Sequence, residues 1–522
     1  MRSNLRWPLL LVLILAGSHR HFSAVTPTGD QQASKSPQVS DQQAKGRIGG
    51  DRPGRPVEIE ALVDSARNAP PEFAADALLR IAQSDRIKQS AWKRELLEEA
   101  FRWGAHSSSP IRRRALAGSL TDTRSGYLAK ALDLNLDALS LQCRAVKAML
   151  SVDRGKAREL FGEIRIHQLP PLNCEEPLVY DFSDFHETLR EIVQSGFTAK
   201  EKSLNDHIHF AESFLMDLFS PTQVAPAADA IASLSLSPPQ LEVLLRAFTL
   251  GVARVSPDDR SFSYSMRGNS VVKEVGRLID TSKKQGVLVD ELLRVFRAYL
   301  VKNLTGPRCA DTSLAKEQQS RELQSIEYFN QDLRSRASGV STVLPILVEE
   351  TRPERTEGAA QEYRYWQTAP AKQLLSEYKK LRFTSKGELR GDAEKQESEW
   401  QLQLGEFLNA LADWDTEESK YEVDHFHQKC VLYFGLLEIL PRGHTRQHVV
   451  SSYVEFLGDS DVQRSSPVGW FLHVHNLINS MTSSEGEDRA VLVDALRTSS
   501  DPVLHLYGEL EKALPQAHRS VR

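Results

Sequence analysis

The chain has 522 residues, with 65 Lys and Arg against 70 Asp and Glu, for a formal net charge of −5. Near-neutrality at this length excludes the strongly basic footprint of a nucleic-acid-binding domain. A composition of 40% apolar and 26% charged residues excludes a polytopic membrane protein yet leaves enough apolar surface for packed cores.

Arg2 and Arg6 precede an apolar run from Trp7 to Gly17. That run is too short to cross roughly 30 Å of hydrocarbon as a helix, and it suits the apolar region of a secretory leader. Ala16-Gly17-Ser18, or Ser23-Ala24, supplies the small residues of a cleavage site, and Ser18 stands where a lipoprotein box would need Cys. Residues 1–24 are read as a signal peptide and the protein as secreted or periplasmic, with no membrane association beyond that segment. Residues 25–56 are Gln, Ser, Thr, Lys, Gly and Pro with almost no large apolar side chain. They cannot bury enough surface to offset their ordering entropy and are read as a disordered tether.

Folded sequence begins near Val57 and reads as helix after helix. Ile59, Leu62, Val63 and Ala66 mark one apolar face; Phe73, Ala77, Leu78 and Ile81 mark the next, after Pro70-Pro71. Residues 57–165 form an N-terminal helical-repeat region, with helices at 137–150 and 153–164. Ser109 to Leu116 resembles the second-helix start of a HEAT repeat, and Arg114-Ala115-Leu116 is echoed by Arg144-Ala145-Val146. The match covers little of the chain and brings no function with it. Residues 166–310 form a central helical region that opens with a Pro-rich aromatic loop over 166–187 and continues with helices at 203–219, 239–254, 270–281 and 288–302. Residues 311–355 are a connecting helix, 317–335, and linker. A C-terminal helical lobe spans 356–522, with helices at 371–382, 396–413, 423–440, 445–457, 468–481 and 487–497. Asp153, Ser237, Ser256, Ser466 and Asp501 stand as helix-start residues, the last four each followed by Pro. The best strand candidates, Val179-Tyr180 and Val340 to Val348, are short. The fold class is all-α: antiparallel helix pairs in an α-solenoid or helical-repeat array of one or two lobes.

Cys143 and Cys430 fall on apolar stripes and read as core thiols. Cys174 and Cys309 lie in Pro-bearing loops and, in an oxidising compartment, are expected to pair as a disulfide. Three His-x-His triplets, 207/209, 425/427 and 473/475, fall in helices, where positions two apart point about 200° away from each other. They are therefore read as histidines bordering core faces rather than metal ligands. His444 and His448 share a helical face, but Thr445 replaces the Glu of an H-E-x-x-H zinc motif, so this too is read as a solvated face. No nucleotide-binding loop and no G-x-S-x-G nucleophile elbow occurs, and no cofactor or metal is expected.

Tyr363, Tyr365, Trp366 and Trp414 are the candidate binding surface, aromatic and charged as anchoring surfaces are. Residues 386–424 hold 12 acidic and four basic side chains, a candidate docking face for a basic partner. Stacked helices leave one extended face free. The functional expectation is an exported, non-catalytic scaffold for a protein or peptide partner. The alternative is a secreted α/α-barrel enzyme acting on carbohydrate, which needs two carboxylates about 5–10 Å apart in one cleft.

Overall fold

The computed structural model describes most of residues 55–514. Outside the description lie 1–54, 116–122, most of 167–177, 257–258, 260, 266–269, 306–308, most of 311–365, 393, 416–421, 483–486 and 515–522. The fold is all-α: the described residues are 75% helical, in 22 helices.

The first group comprises α1 (Val57–Arg67), α2 (Pro71–Gln83), α3 (Ser90–Gly104), α4 (Arg124–Leu132), α5 (Ala138–Leu150) and α6 (Arg154–Glu163). It continues through α7 (Ser183–Ser195), α8 (Ala199–Ser203), α9 (Asp206–Leu215), α10 (Pro221–Ala232) and α11 (Pro238–Arg254) to α12 (Phe262–Ser265), α13 (Ser270–Lys284) and α14 (Asp290–Thr305). The second group comprises α15 (Ala369–Arg382), α16 (Ser398–Asp413), α17 (Glu422–Ile439) and α18 (His444–Gly458). It ends with α19 (Val462–Ser465), α20 (Pro467–Thr482), α21 (Glu487–Thr498) and α22 (Pro502–Ala513).

Helix starts follow capping chemistry. Asp137, Asp153 and Asp501 accept from backbone N–H groups of the turns that follow them, which satisfies donors a helix leaves orphaned. Gln223 and Gln240 reach back to the N–H groups of Ser220 and Ser237, both at 3.0 Å.

In the first group α2 packs on α1 and α3, α5 on α3 and α7, and α10 on α7 and α13, with α9 and α14 against α11. In the second, α15 meets α16 and α17, α17 meets α18, α18 meets α21, and α21 meets α22. The last helix, α22, also packs on α1 and α2, while α20 packs on α4. Phe73 of α2 is buried at this meeting, with ring centroids 5.0 Å from Phe471 and 6.4 Å from Tyr507. Charge accompanies the apolar contact: Arg80 bonds Glu511 at 2.6 Å, and Asp76 accepts from Tyr507 at 2.8 Å and from Arg144 at 2.7 Å.

Two expectations change. Ser109 to Ala115 does not begin a helix: Arg113–Ala115 is strand β1, antiparallel to β2 (Leu178–Tyr180), with Arg114 opposite Val179. Alternate residues share a face only on extended backbone, and that lets Arg112 and Arg114 both reach Asp181, at 3.1 and 2.8 Å. A helix would have sent them apart. The 166–187 loop is also shorter than expected, because α7 starts inside it at Ser183, where Asp181 accepts the Ser183 N–H at 2.9 Å. Of the two strand candidates, Val179-Tyr180 is paired, and Val340 to Val348 lies outside the described residues. A second ribbon joins Cys309–Ala310 to Glu357–Gly358 in parallel.

Candidate functional site

The end of β2, three helices of the first group and Ser265 of α12 frame a cleft of about 390 Å³. Each long wall is a single helical face. On α7 it is Ser183, Glu187 and Arg190; on α10 it is Thr222, Ala225, Pro226 and Asp229; on α13 it is Ser270 and Glu274. These spacings of three and four place side chains on one side of a helix. Asp181 closes the end.

The four carboxylates are anchored by cations. Asp181 is held by Arg112 and Arg114, and Asp229 is paired with Arg277. Glu274 lies 3.2 Å from the Arg277 Nε, and Glu187 lies 3.3 Å from Lys147 and 3.7 Å from Arg190. Burial by itself would raise the Asp181 pKa; the Arg112 charge and the Arg114 and Ser183 hydrogen bonds outweigh it and hold the carboxyl below the usual range. Hydroxyls of Ser183, Thr222, Ser265 and Ser270 add acceptors and donors. Pro226 has no N–H, so the Thr222 carbonyl receives no hydrogen bond from position 226. The arrangement suits a ligand rich in hydrogen-bond donors, and none of the described lining residues is an aromatic platform.

A second polar cluster lies where α4 meets α17 and α20. His427 Nδ1 is 3.2 Å from His473 Nε2, and the Tyr127 hydroxyl bonds His473 Nε2 and donates to the Gly469 carbonyl at 3.1 Å. Both histidines are enclosed, at 5% and 4% exposure. Burial lowers the His427 pKa to about 3, and burial followed by the neighbouring His427 and Lys130 lowers that of His473. Beside them Arg124 forms a two-pronged ion pair with buried Asp424 at 2.6 and 2.7 Å. Among the described residues no group of three His, Cys, Asp or Glu could hold a metal.

The residues singled out from sequence are dispersed. Trp366 and Trp414 are half-buried and pack against the core, with Trp414 edge-on to His425 at 4.6 Å. Tyr363 and Tyr365 lie outside the described residues. So does Cys174, and with it the expected Cys174–Cys309 bond; no disulfide occurs among the described residues. Cys143 and Cys430 are buried free thiols. His207 turns inward and His209 outward, as helical geometry requires of positions two apart, whereas His473 is buried and His475 half-buried against Phe471. His444 and His448 are exposed. In the acidic stretch Glu399 and Glu406 face solvent, whereas Trp400 is buried and donates its indole N–H to the Leu381 carbonyl at 3.0 Å. Asn303 of the Asn303-Leu304-Thr305 sequon is buried, its amide donating to the Tyr299 carbonyl at 2.9 Å. No helix among the described residues is long and apolar enough to cross a membrane.

Sequence reasoning missed the cleft and the histidine contact. Of the three walls only α13 matches a helix expected from the sequence, at 270–281; α7 and α10 were not expected, and nothing local says that three helical faces converge there. No protein-family model, curated protein or solved structure matches the chain.

Proposed function

We propose that this is an exported, non-catalytic helical scaffold that binds a protein partner by taking a segment of it into the cleft between α7, α10 and α13. The observation that carries the reading is the cleft's lining: four carboxylates, each paired with a basic side chain, distributed over three helices and the end of a strand. Anchored acceptors bind with little reordering, which is what a recognition surface needs. The same pairing weighs against the carbohydrate-hydrolase alternative, which requires one carboxyl in the cleft to keep its proton. Export rests on the leader-like start, Arg2 to Gly17.

The test is selection of peptides from a displayed random library against the full chain and against Ala225→Trp, which fills the cleft. Peptides enriched by the native protein and lost with the filled variant support the proposal. No enrichment, or enrichment indifferent to the substitution, refutes it.

A further inference from the structure

We infer that α4 is an acid-released latch: the His427–His473 pair beneath Tyr127 holds it against α17 and α20 at neutral pH and lets it go when either imidazole takes up a proton. The proton order of the neutral pair follows from its contacts. The Gly469 carbonyl can only accept, so the Tyr127 hydroxyl gives its proton there, at 3.1 Å. The Tyr127 oxygen then accepts from His473, whose Nε2 carries the hydrogen. His427 Nδ1, 3.2 Å from that same Nε2, is therefore the bare nitrogen of its ring. Each group has one role, and the order holds only while both rings are neutral.

One more proton breaks it. On His427 Nδ1 it sets N–H against N–H at 3.2 Å; elsewhere on either ring it puts a charge into a space closed by aromatic side chains. The Tyr127 ring lies 3.7 Å from His427 and 5.2 Å from His473 between centroids, and Phe426 is edge-on to both at 5.5 Å. Burial keeps both imidazoles unprotonated while α4 is in place. Among the described residues the surrounding groups offer no counter-ion. From α4 come Lys130, of the wrong sign for His473, and Arg124, which holds both oxygens of Asp424 on α17. Also on α17, Lys429 donates to the Ala412 and Trp414 carbonyls and Glu438 pairs with Arg382 of α15. Burial raises the pKa of Cys430 on α17 and of Tyr453 on α18, so both stay neutral. On α20 His475 faces Asp76, Arg80 and Glu511 instead. Asp461 of α19 is paired with Arg464, Asp488 of α21 with Arg446, and Arg114 of β1 with Asp133 and Asp181.

Tyr127 is the α4 side chain that covers the pair, so lifting α4 opens the rings to water, where an imidazole takes up its proton near pH 6.5. Each ring so exposed favours the open form about tenfold more at pH 5.5 than at pH 7.5. The Arg124–Asp424 pair breaks on opening at either pH and cancels from the comparison.

Hydrogen exchange of the full chain at the two pH values, expressed as protection relative to the intrinsic rate at each, tests the latch. Residues 124–132 should lose at least about tenfold in protection at pH 5.5, and should be less protected there than residues 90–104 of α3, which pack on α2 and α5. His427→Phe/His473→Gln, which removes both titrating rings and leaves an amide to donate to Tyr127, should abolish the loss. His427→Phe alone should reduce it, and takes the double variant's place if circular dichroism shows that one unfolded. His186→Phe removes a buried imidazole on α7 and should leave the loss at 124–132 in place. Protection at 124–132 that is equal at the two pH values, that is no lower than at 90–104 at pH 5.5, or that falls as far in His427→Phe and the double variant as in the native chain overturns the inference.

Discussion

Acid should loosen this fold above the range in which most of its carboxylates titrate, and three enclosed imidazoles are the main cause. His186 on α7 is fully buried, with no hydrogen-bond partner on either ring nitrogen, and burial lowers its pKa to about 3. His427 is lowered to about 3 as well, and His473 shifts the same way. In an unfolded chain an imidazole takes up its proton near pH 6.5. Between that value and the folded pKa the unfolded state binds more protons, so stability is full above about pH 6.5 and is lost progressively as pH falls toward 3. From pH 7 to pH 5 the loss is about 2 kcal/mol for each of His186 and His427. Asp137 works in the opposite sense: burial raises its pKa to about 6, so protonation on acidification relieves it and returns about 1 kcal/mol over the same interval. The net is a loss of about 3 kcal/mol before His473 adds to it. At pH 5 Asp76 and Asp181, both held low by their arginines, are ionised in the fold and contribute little to the difference. Urea unfolding at pH 7 and pH 5 measures the sum, and His186→Phe isolates one part. That substitution replaces a ring whose nitrogens bond nothing, so it should cost little at pH 7 and remove about 2 kcal/mol of the acid loss. Equal midpoints at the two pH values, or an unchanged acid loss in His186→Phe, would refute the argument.

Other outcomes follow from single contacts. At Gly251 on α11 a Cβ would sit 2.1 Å from the Leu215 carbonyl and 2.9 Å from Leu218 Cγ; Gly251→Ala should cost about 1–3 kcal/mol as α11 is forced off α9, visible as a lowered melting temperature. Arg124→Met strands the buried Asp424 carboxylate and should destabilise by about 1–3 kcal/mol, whereas Arg124→Met/Asp424→Leu should recover much of that loss in denaturant titration. Burial pushes the Cys143 and Cys430 thiols well up from their ordinary value, so neither should react with a thiol reagent at pH 8 until denaturant is added.

How far the sequence could be read depended on whether the determining contacts were local. The stripe Ile59, Leu62, Val63, Ala66 is buried as its period requires, and Cys143 and Cys430 are buried on theirs. Start signals at Asp153, Ser237 and Asp501 mark real helix boundaries, because a cap bonds only to the turn that follows it. The stretch around Arg112 misled because its residues suit a helix, while the decisive partner, Asp181, lies far along the chain. α10 was obscured by Pro226 within it, and α7 by the aromatic run at its start. The cleft was invisible for a related reason: with 70 acidic residues in the chain, the four that face one space carry no local mark. The triplets predicted alternation around each helix, but not that His427 and His473 would be the two that meet.

The junction between α22 and the first helices bears on the expectation of an α-solenoid or helical-repeat array. A solenoid normally finishes in terminal repeats with polar outer faces. Here α22 lies against α1 and α2, so the first and last of the described helices pack on each other. Val503, Leu504, Leu506, Tyr507 and Leu510 of α22 are all buried, among helices that include α1, α2 and α21. At about 2 kcal/mol for each such side chain, α22 contributes an amount comparable to the roughly 5–15 kcal/mol net stability of a typical domain. The polar contacts add direction: without α22, Arg80 loses Glu511, Asp76 loses the Tyr507 hydroxyl, and Phe73 loses the Tyr507 ring. A chain ending at Ser500 should therefore lose cooperative unfolding in its first helices as well as its last, seen as hydrogen-exchange protection falling across residues 57–83. Protection there equal to that of the full chain would show that the N-terminal helices stand without the C-terminal one, and that the junction is a contact between independently stable parts.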